Sequence, residues 1–342
     1  MDCLTDLSLE DLKSLLEKWG EPAYHAGQIF SWIYKKGVSD FEAMSDLSSR
    51  LKIKLKENFC LFCLKLVKSL KSADGTEKFL FEVKDKNYIE AVIIPAQGRI
   101  TGCISSQVGC KFGCSFCASG LLGFKRDLSC SEMIEEVLYL KNNSPDKKLS
   151  HIVFMGTGEP LDNYDNLLKA IRIINSKEAL NIGARRITIS SCGLIPGIKR
   201  LAEENLQVEL SISLHAADNK IRSQIMPINK KYPLKDLLEA CKDYIKKTNR
   251  QITFEYILFQ GINSDLQSAR NLSTILRNLN CKVNLIPTNP VKECGLKPPN
   301  KLEILLFRDF LSKHAVNVTL RKERGQDIEA ACGQLRLRYA NK

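Results

Sequence analysis

The chain has 342 residues, enough for one large domain with a smaller companion and for a sizeable core without disulfide support. Hydrophobic residues make up 44% and charged residues 26%, which excludes a disordered or fibrous protein, and no apolar run approaches the roughly 18 residues of a spanning helix. Lys and Arg total 51 against 39 Asp and Glu, a formal charge of +12 that suits a polyanionic partner, although charge alone leaves a plain basic soluble protein equally open.

Met1 to Asp6 carries neither a basic nor an apolar leader segment, so the expectation is a soluble, cytoplasmic protein with no membrane partner. Leu9, Leu12, Leu15, Leu16 and Trp19 recur at helical spacing before Gly20-Glu21-Pro22. A second amphipathic stretch carries Ile29, Phe30, Trp32, Ile33 and Tyr34, and a third runs from Ser48 to about Asn58. The period then changes. Phe62 to Ser69 and Lys78 to Val83 read as strands around Ala73-Asp74-Gly75, followed by a strand from Tyr88 to Pro95. Residues 1–95 are thus expected to form a small accessory region, helices first and a short sheet after.

From about residue 100 strands and helices alternate. The strand segments are Ile100–Ser105, His151–Met155, Arg186–Ser190, Val208–Ser213, Ile252–Leu258 and Lys282–Ile286. Helical patterns lie between and after them, near Ser131–Asn142, Tyr164–Ser176, Ile195–Asn205, Leu234–Lys247, Asp265–Asn278 and Lys301–His314. Regular βα alternation predicts a parallel α/β sheet, and six units fall short of the eight of a closed barrel, so a partial (β/α)6 barrel is expected over 96–329, with a C-terminal segment at 330–342. Polar residues and glycines gather where the strands end, at Gly156–Pro160, Ser190–Gly193, Ser213–His215 and Pro287–Pro290. Strand C-termini form one face in such folds, so these clusters together mark a site.

Thirteen cysteines without a secretory leader point to metal, cluster or thiol chemistry rather than a disulfide framework. Cys110, Cys114 and Cys117 stand in Cys-x3-Cys-x2-Cys spacing after the first barrel strand. Three thiolates can hold three irons of a [4Fe–4S] cluster and leave the fourth open to a ligand. A zinc ion, or three cysteines buried for packing, are the alternatives. Cys60-x2-Cys63 has no second pair in sequence to complete a zinc site and reads as strand core; Cys3, Cys130, Cys192, Cys241, Cys281 and Cys294 have no partner at metal spacing.

The cysteine triplet on the loop after the first barrel strand resembles the radical S-adenosylmethionine (SAM) enzymes. Ser105-Ser106-Gln107-Val108-Gly109-Cys110, Gly156-x-Gly158-Glu159-Pro160, Ser213-Leu214-His215-Ala216, Pro227–Tyr232, Asn284–Pro287 and Ala330-Ala331-Cys332-Gly333-Gln334 together resemble the RlmN/Cfr family of RNA adenosine methyltransferases. The likeness runs from about residue 20 to Gln334.

The resemblance implies that Cys110, Cys114 and Cys117 ligate a [4Fe–4S] cluster, and that SAM is met by Gly158, Glu159, Ser190, Ser213, Leu214, His215 and Asn289. It further implies that Cys332 accepts a methyl group as S-methylcysteine, that Cys103 forms a transient disulfide with it, and that Glu90 accepts a proton. A thiolate is a nucleophile toward the SAM methyl group, whereas the electron-poor C2 of adenine is not, which explains a two-SAM route through a cysteine. Glu90 stands inside an apolar strand, where a carboxylate is costly, or else faces solvent on an alternating strand.

The implied substrates are an adenosine of the peptidyl-transferase centre of 23S rRNA and the adenosine 3′ of the anticodon in tRNAs. An external one-electron donor of flavodoxin or ferredoxin type, and a monomer, are also expected. Lys52, Lys54, Lys56, Lys65, Lys68 and Lys71 are candidate phosphate contacts, or simply a solvated face. Two rival readings are a C8-specific, Cfr-type methyltransferase and a non-catalytic zinc and RNA-binding protein.

Overall fold

A computed structural model describes residues 2–288, 295–321, 324–328 and 333–340. The chain opens with β1 (Asp2–Cys3), followed by α1 (Leu9–Lys18), α2 (Tyr24–Phe30) and α3 (Ser49–Asn58). Ser8 starts α1 through a reciprocal pair of bonds with Asp11, which satisfies two backbone donors that the helix cannot. A wider π turn, Ser31–Lys36, prolongs α2 and stops at Gly37 in left-handed conformation (φ 70°). Leu12, Leu16, Ile29, Phe30, Leu51 and Leu55 close this helical region into the common core.

Short β2 (Phe59–Cys60) pairs with β1 in parallel, and an antiparallel meander follows: β3 (Lys65–Lys71), β4 (Glu77–Glu82), β5 (Tyr88–Ala96) and β6 (Arg99–Ile104). The first of these strands begins at Lys65 rather than at Phe62, because the backbone N–H groups of Cys63 and Leu64 donate to the Glu135 carboxylate instead of a neighbouring strand. Beyond a small ribbon of β7 (Gln107–Val108) and β8 (Arg126–Asp127), separated by α4 (Ala118–Leu121), the chain enters its alternating part. There α5 (Cys130–Asn143), β9 (His151–Phe154), α6 (Tyr164–Asn175), β10 (Ile187–Ser191), α7 (Ile195–Leu201) and β11 (Glu209–Ser213) follow in order. Next come α8 (Asn219–Ile225), α9 (Leu234–Thr248), β12 (Ile252–Leu258), α10 (Leu266–Ile275) and β13 (Cys281–Pro287). The series ends with α11 (Lys301–Lys313), β14 (Val318–Leu320) and α12 (Gln334–Ala340).

The six expected barrel strands β6, β9, β10, β11, β12 and β13 lie side by side, all parallel, in chain order. Most of their apolar residues are buried, as in parallel sheets covered by helices; among the half-buried ones are Val153, Ile257 and Ile286, which line a cavity. Besides the β7–β8 ribbon and α4, features that were not expected include β14, which adds a seventh parallel strand, α8, a further helix, and the end of α7 at Leu201, ahead of Asn205, which turns left-handed (φ 52°). The meander strands and the barrel strands belong to one ten-stranded sheet, ordered β14-β13-β12-β11-β10-β9-β6-β5-β4-β3, and β5 runs across the boundary expected at residue 95. Among the described residues no helix is long and apolar enough to cross a membrane.

Candidate active site

Parallel strands in chain order bring their C-terminal ends to one side, and there they enclose a cavity of about 340 Å³. Gly156, Gly158 and Glu159 line it after β9, Ser190 and Cys192 from β10 and its end, Ser213 and His215 from β11 and its end, and Ile257 and Phe259 from β12 and its end. The loop after β6 contributes Cys110, Cys114 and Cys117. Residues about 150 positions apart in sequence thus share one wall, and the polar clusters noted at the strand ends converge.

The cysteine loop is held by its glycines and by one long-range bond. Gly109 adopts φ 86°, and a side chain there would run into the carbonyl oxygen of Gly123. Ser115 N–H donates to the carbonyl of Ile225 at the end of α8 (3.0 Å), and Cys117 N–H to Cys114 (3.1 Å), folding the loop back on itself. Burial pushes the Cys110 thiol up to about 12, helped by Cys117, and raises Cys114 further, helped by Cys117 and Cys110. Thiols that are desolvated and oppose one another's ionisation ligate only when a cation compensates them. That donor set fits an iron cluster. The three sulfurs are not gathered within 4.8 Å of one another, as ligands of a single ion would be.

The expected SAM contacts divide into two groups. Gly158, Glu159, Ser190, Ser213 and His215 line the cavity. Gly158 (φ 110°) packs so closely on Gln107 that a Cβ would come within 2.6 Å of that side chain. The buried Glu159 carboxylate accepts from Leu161 N–H (3.1 Å) and Cys192 N–H (2.7 Å), tying the β9 loop to the end of β10. His215 has a left-handed backbone (φ 54°), accepts from Ile257 N–H through Nδ1 (3.1 Å) and meets Phe116 edge-on at 4.9 Å. Burial and the Arg222 charge push its pKa down to about 3, so the imidazole is neutral and its Nε2 carries the proton. Leu214 differs: its side chain lies in the core, its N–H donates to Glu255 and its carbonyl accepts from Arg222. Asn289 lies outside the described residues. Carboxylates (Glu159, Glu255) and guanidinium groups (Arg321, Arg324) line the same cavity as Met226, Ile257 and Phe259, a mixture that fits a zwitterionic sulfonium ligand with a flat apolar ring.

Comparison with known proteins is decisive here. Residues 104–271 match the family model "Radical SAM superfamily" and residues 3–61 that of the "Ribosomal RNA large subunit methyltransferase N-terminal domain". A "Probable dual-specificity RNA methyltransferase RlmN" of Thermoanaerobacter sp. (strain X514) is 47% identical over 337 residues, covering 98% of both chains. The Clostridium novyi (strain NT) protein of the same name is 46% identical over 340 residues, covering 99% of both. The crystal structure of a radical SAM methyltransferase from Sphaerobacter thermophilus superposes with a TM-score of 0.95 at 41% identity, covering 98% of this chain and 99% of that one. The chain belongs to the RlmN family of radical SAM methyltransferases.

Membership implies a [4Fe–4S] cluster and SAM as cofactors and sets aside the reading as a non-catalytic zinc protein. Cys103, on β6, is buried and lines the same cavity as Cys110, Cys114 and Cys117. Cys332 lies outside the described residues; its neighbour Gly333 (φ 79°) packs against Ser119 of α4, shortly after Cys117, where a Cβ would come within 2.5 Å of the Ser119 nitrogen. Glu90, on β5, is buried rather than solvent-facing, and its carboxylate is fully engaged: Lys78 pairs with it at 2.9 Å, Gly333 N–H donates at 2.9 Å, and Arg336 N–H donates as well. Glu90 is not among the residues lining the cavity.

Sequence reasoning missed two residues of this RlmN-family site. Arg222 of α8 is 1% exposed and donates to the carbonyls of Leu214, Ser213 and Cys192 and to Asn229 Oδ1, all at 2.9–3.1 Å, lacing the ends of β10 and β11. Gln107 accepts from Glu159 N–H (2.8 Å) and donates to Asp127 and Asp162, fixing the loop that carries Gly158. Both stand in or beside the family's motifs, but nothing in a spacing tells an internal brace from a surface side chain.

Proposed function

We propose that the protein methylates C2 of one adenosine in the peptidyl-transferase centre of 23S rRNA and of the adenosine 3′ of the anticodon in tRNAs. Cys332, as thiolate, takes the methyl group of one SAM and becomes S-methylcysteine. When bound, the cluster and a second SAM supply the one-electron chemistry that activates the S-methyl carbon toward adenine C2. Once that carbon is joined to C2 and the C2 proton is lost to Glu90, the Cys103 thiolate attacks the sulfur of Cys332. The S–CH2 bond breaks, its electron pair goes to the carbon, which takes up a proton and becomes the methyl group, and a Cys103–Cys332 disulfide is left. An external one-electron donor of flavodoxin or ferredoxin type reduces the cluster, and the enzyme works as a monomer in the cytoplasm.

The observation that carries this reading is the placement of Cys103: a thiol outside the cluster triplet that lines the cavity of Cys110, Cys114 and Cys117. The names of the relatives support RNA as substrate. Gly158, Glu159, Ser190, Ser213, Leu214, His215 and Asn289 are the proposed SAM contacts, with Leu214 acting through the backbone it holds in place. Glu90 is the proposed proton acceptor; to act, its carboxylate must let go of the α12 backbone donors that it now holds.

For RNA docking, β3 leaves Lys65 and Lys68 exposed at the edge of the sheet, and Lys56 is exposed on α3. Lys52 donates to the Glu42 carbonyl, Lys54 lies 4.7 Å over the Trp19 ring, and Lys71 pairs with Glu77 at 2.5 Å. The deciding experiment is anaerobic reconstitution, reaction with rRNA and tRNA from cells lacking the enzyme, and mass spectrometry of the released nucleosides. The expected product is 2-methyladenosine, absent with Cys332→Ala. A C8-methylated product, or methylation by Cys332→Ala, overturns the proposal.

A further inference from the structure

Outside the cavity, one more cluster of sulfur is assembled by the fold. β1 and β2 pair in parallel with Cys3 opposite Cys60, and Cys63 lies three residues further along. The Cys60 sulfur is 3.1 Å from that of Cys3 and 3.0 Å from that of Cys63, and the sulfurs of Cys3 and Cys63 stand at disulfide-bonding distance. Among the described residues this is the one trio whose ligand atoms all lie within 4.8 Å of one another. The reading of Cys60 and Cys63 as strand-core residues, and of Cys3 as partnerless, is thereby corrected: the third ligand comes from a strand almost sixty residues away, which no local spacing reveals.

A fourth group faces the trio. Glu135 of α5 is 2% exposed; its Oε2 accepts from Cys63 N–H (2.6 Å) and Leu64 N–H (2.7 Å), and its Oε1 stands 3.5 Å from the Cys3 sulfur. A buried carboxylate oriented by two backbone donors, with its other oxygen on the Cys3 sulfur, has the orientation of a structural-metal ligand and needs only a short approach to the other two sulfurs. A disulfide accounts for the trio less well. The Cα atoms of Cys3 and Cys63 are 7.2 Å apart, beyond the usual span of such a bridge.

We propose that Cys3, Cys60 and Cys63, completed by Glu135 Oε1, form a structural zinc site separate from the iron cluster. Thiolates around one zinc at about 2.3 Å stand roughly 3.8 Å apart, so binding asks the sulfurs of Cys3 and Cys63 to move away from Cys60 by less than about 1 Å and to part from each other by about 1.5 Å. The ion would join three pieces of chain: the N-terminal strand, the end of the helical region and α5 of the barrel. Its role is to staple the accessory region to the catalytic barrel.

Metal analysis of the full-length, anaerobically purified protein tests this. The expected content is one zinc per chain beside about four irons. Cys60→Ser and Cys63→Ser each lower zinc at least tenfold at unchanged iron, and Glu135→Gln weakens zinc retention against a chelator by at least tenfold. Should these variants fail to fold, zinc X-ray absorption on the unaltered protein still decides, with sulfur neighbours at about 2.3 Å expected. Iron-replete protein without zinc, a zinc shell of nitrogen and oxygen only, or a complete Cys3–Cys63 disulfide in protein never exposed to air overturns the proposal.

Discussion

A guanidinium deprived of water must find acceptors or lose its charge, and Arg222 finds four. Burial brings its pKa down to about 10, which still leaves it charged at neutral pH. Arg222→Met strips three backbone carbonyls of their donor at the rim of the cavity. The expected cost is about 3 kcal/mol or more in chemical denaturation, with weaker SAM binding by calorimetry. Lysine in its place recovers only part of this, since one ammonium cannot reach all four acceptors.

His215 gives a second test at the same scale. Its folded pKa is about 3, below the roughly 6.5 of an unfolded chain, so between those values the unfolded state binds the extra proton. The histidine therefore costs stability progressively as pH falls from about 6.5 toward 3, and costs nothing above. Denaturation midpoints of His215→Gln, relative to the unaltered protein, should rise steadily from pH 7 to pH 4 and stay level from pH 7 to pH 8. A flat difference across the acid range would show that the imidazole is not held neutral.

Among the elements, α12 depends on a side chain from another part of the sheet. Glu90 receives the N–H groups of Gly333 and Arg336 at the start of the helix and pairs with Lys78, which is itself inaccessible to solvent. Glu90→Gln turns one acceptor into a donor facing another donor and removes the carboxylate charge 2.9 Å from Lys78. The expected loss is about 3 kcal/mol, expressed first as faster amide exchange in Gln334–Ala340 with the β9–β12 strands still protected. The six barrel strands could be placed from the sequence because strand and helix periods alternate at regular intervals. The last strand, β14, and the helix α8 escaped: β14 has three residues, and α8 has seven without a clear apolar stripe. The cavity wall was equally legible wherever a motif recorded it, as at Cys110, Glu159 and His215. Cys3 and Glu135 were not, because what unites them with Cys60 is a strand register and a helix packed across it.

For the whole molecule, the surplus of positive charge is not concentrated in one tail, and part of it lies on the edge strand β3. Exposed edge lysines also discourage strand-to-strand aggregation, so their presence alone does not establish a docking role. Salt dependence separates the two uses. Replacing Lys65 and Lys68 with Gln should weaken RNA binding and flatten the plot of log affinity against log salt by about 0.7–0.9 for each phosphate that is no longer neutralised. Lys71→Gln, which removes a residue already paired with Glu77, should change the slope less. An unaltered slope in the double variant would place the RNA elsewhere.

The strand carrying Cys103 is bonded on one side to β9 and on the other to β5, along Val92–Ala96. No flexible tether separates the plank that faces outward at β3 from the planks that enclose the chemistry. A substrate pressing on the outer edge meets a stiff board, so admission of a nucleotide must be accommodated by the loops at the strand ends and not by swinging one half of the molecule away from the other.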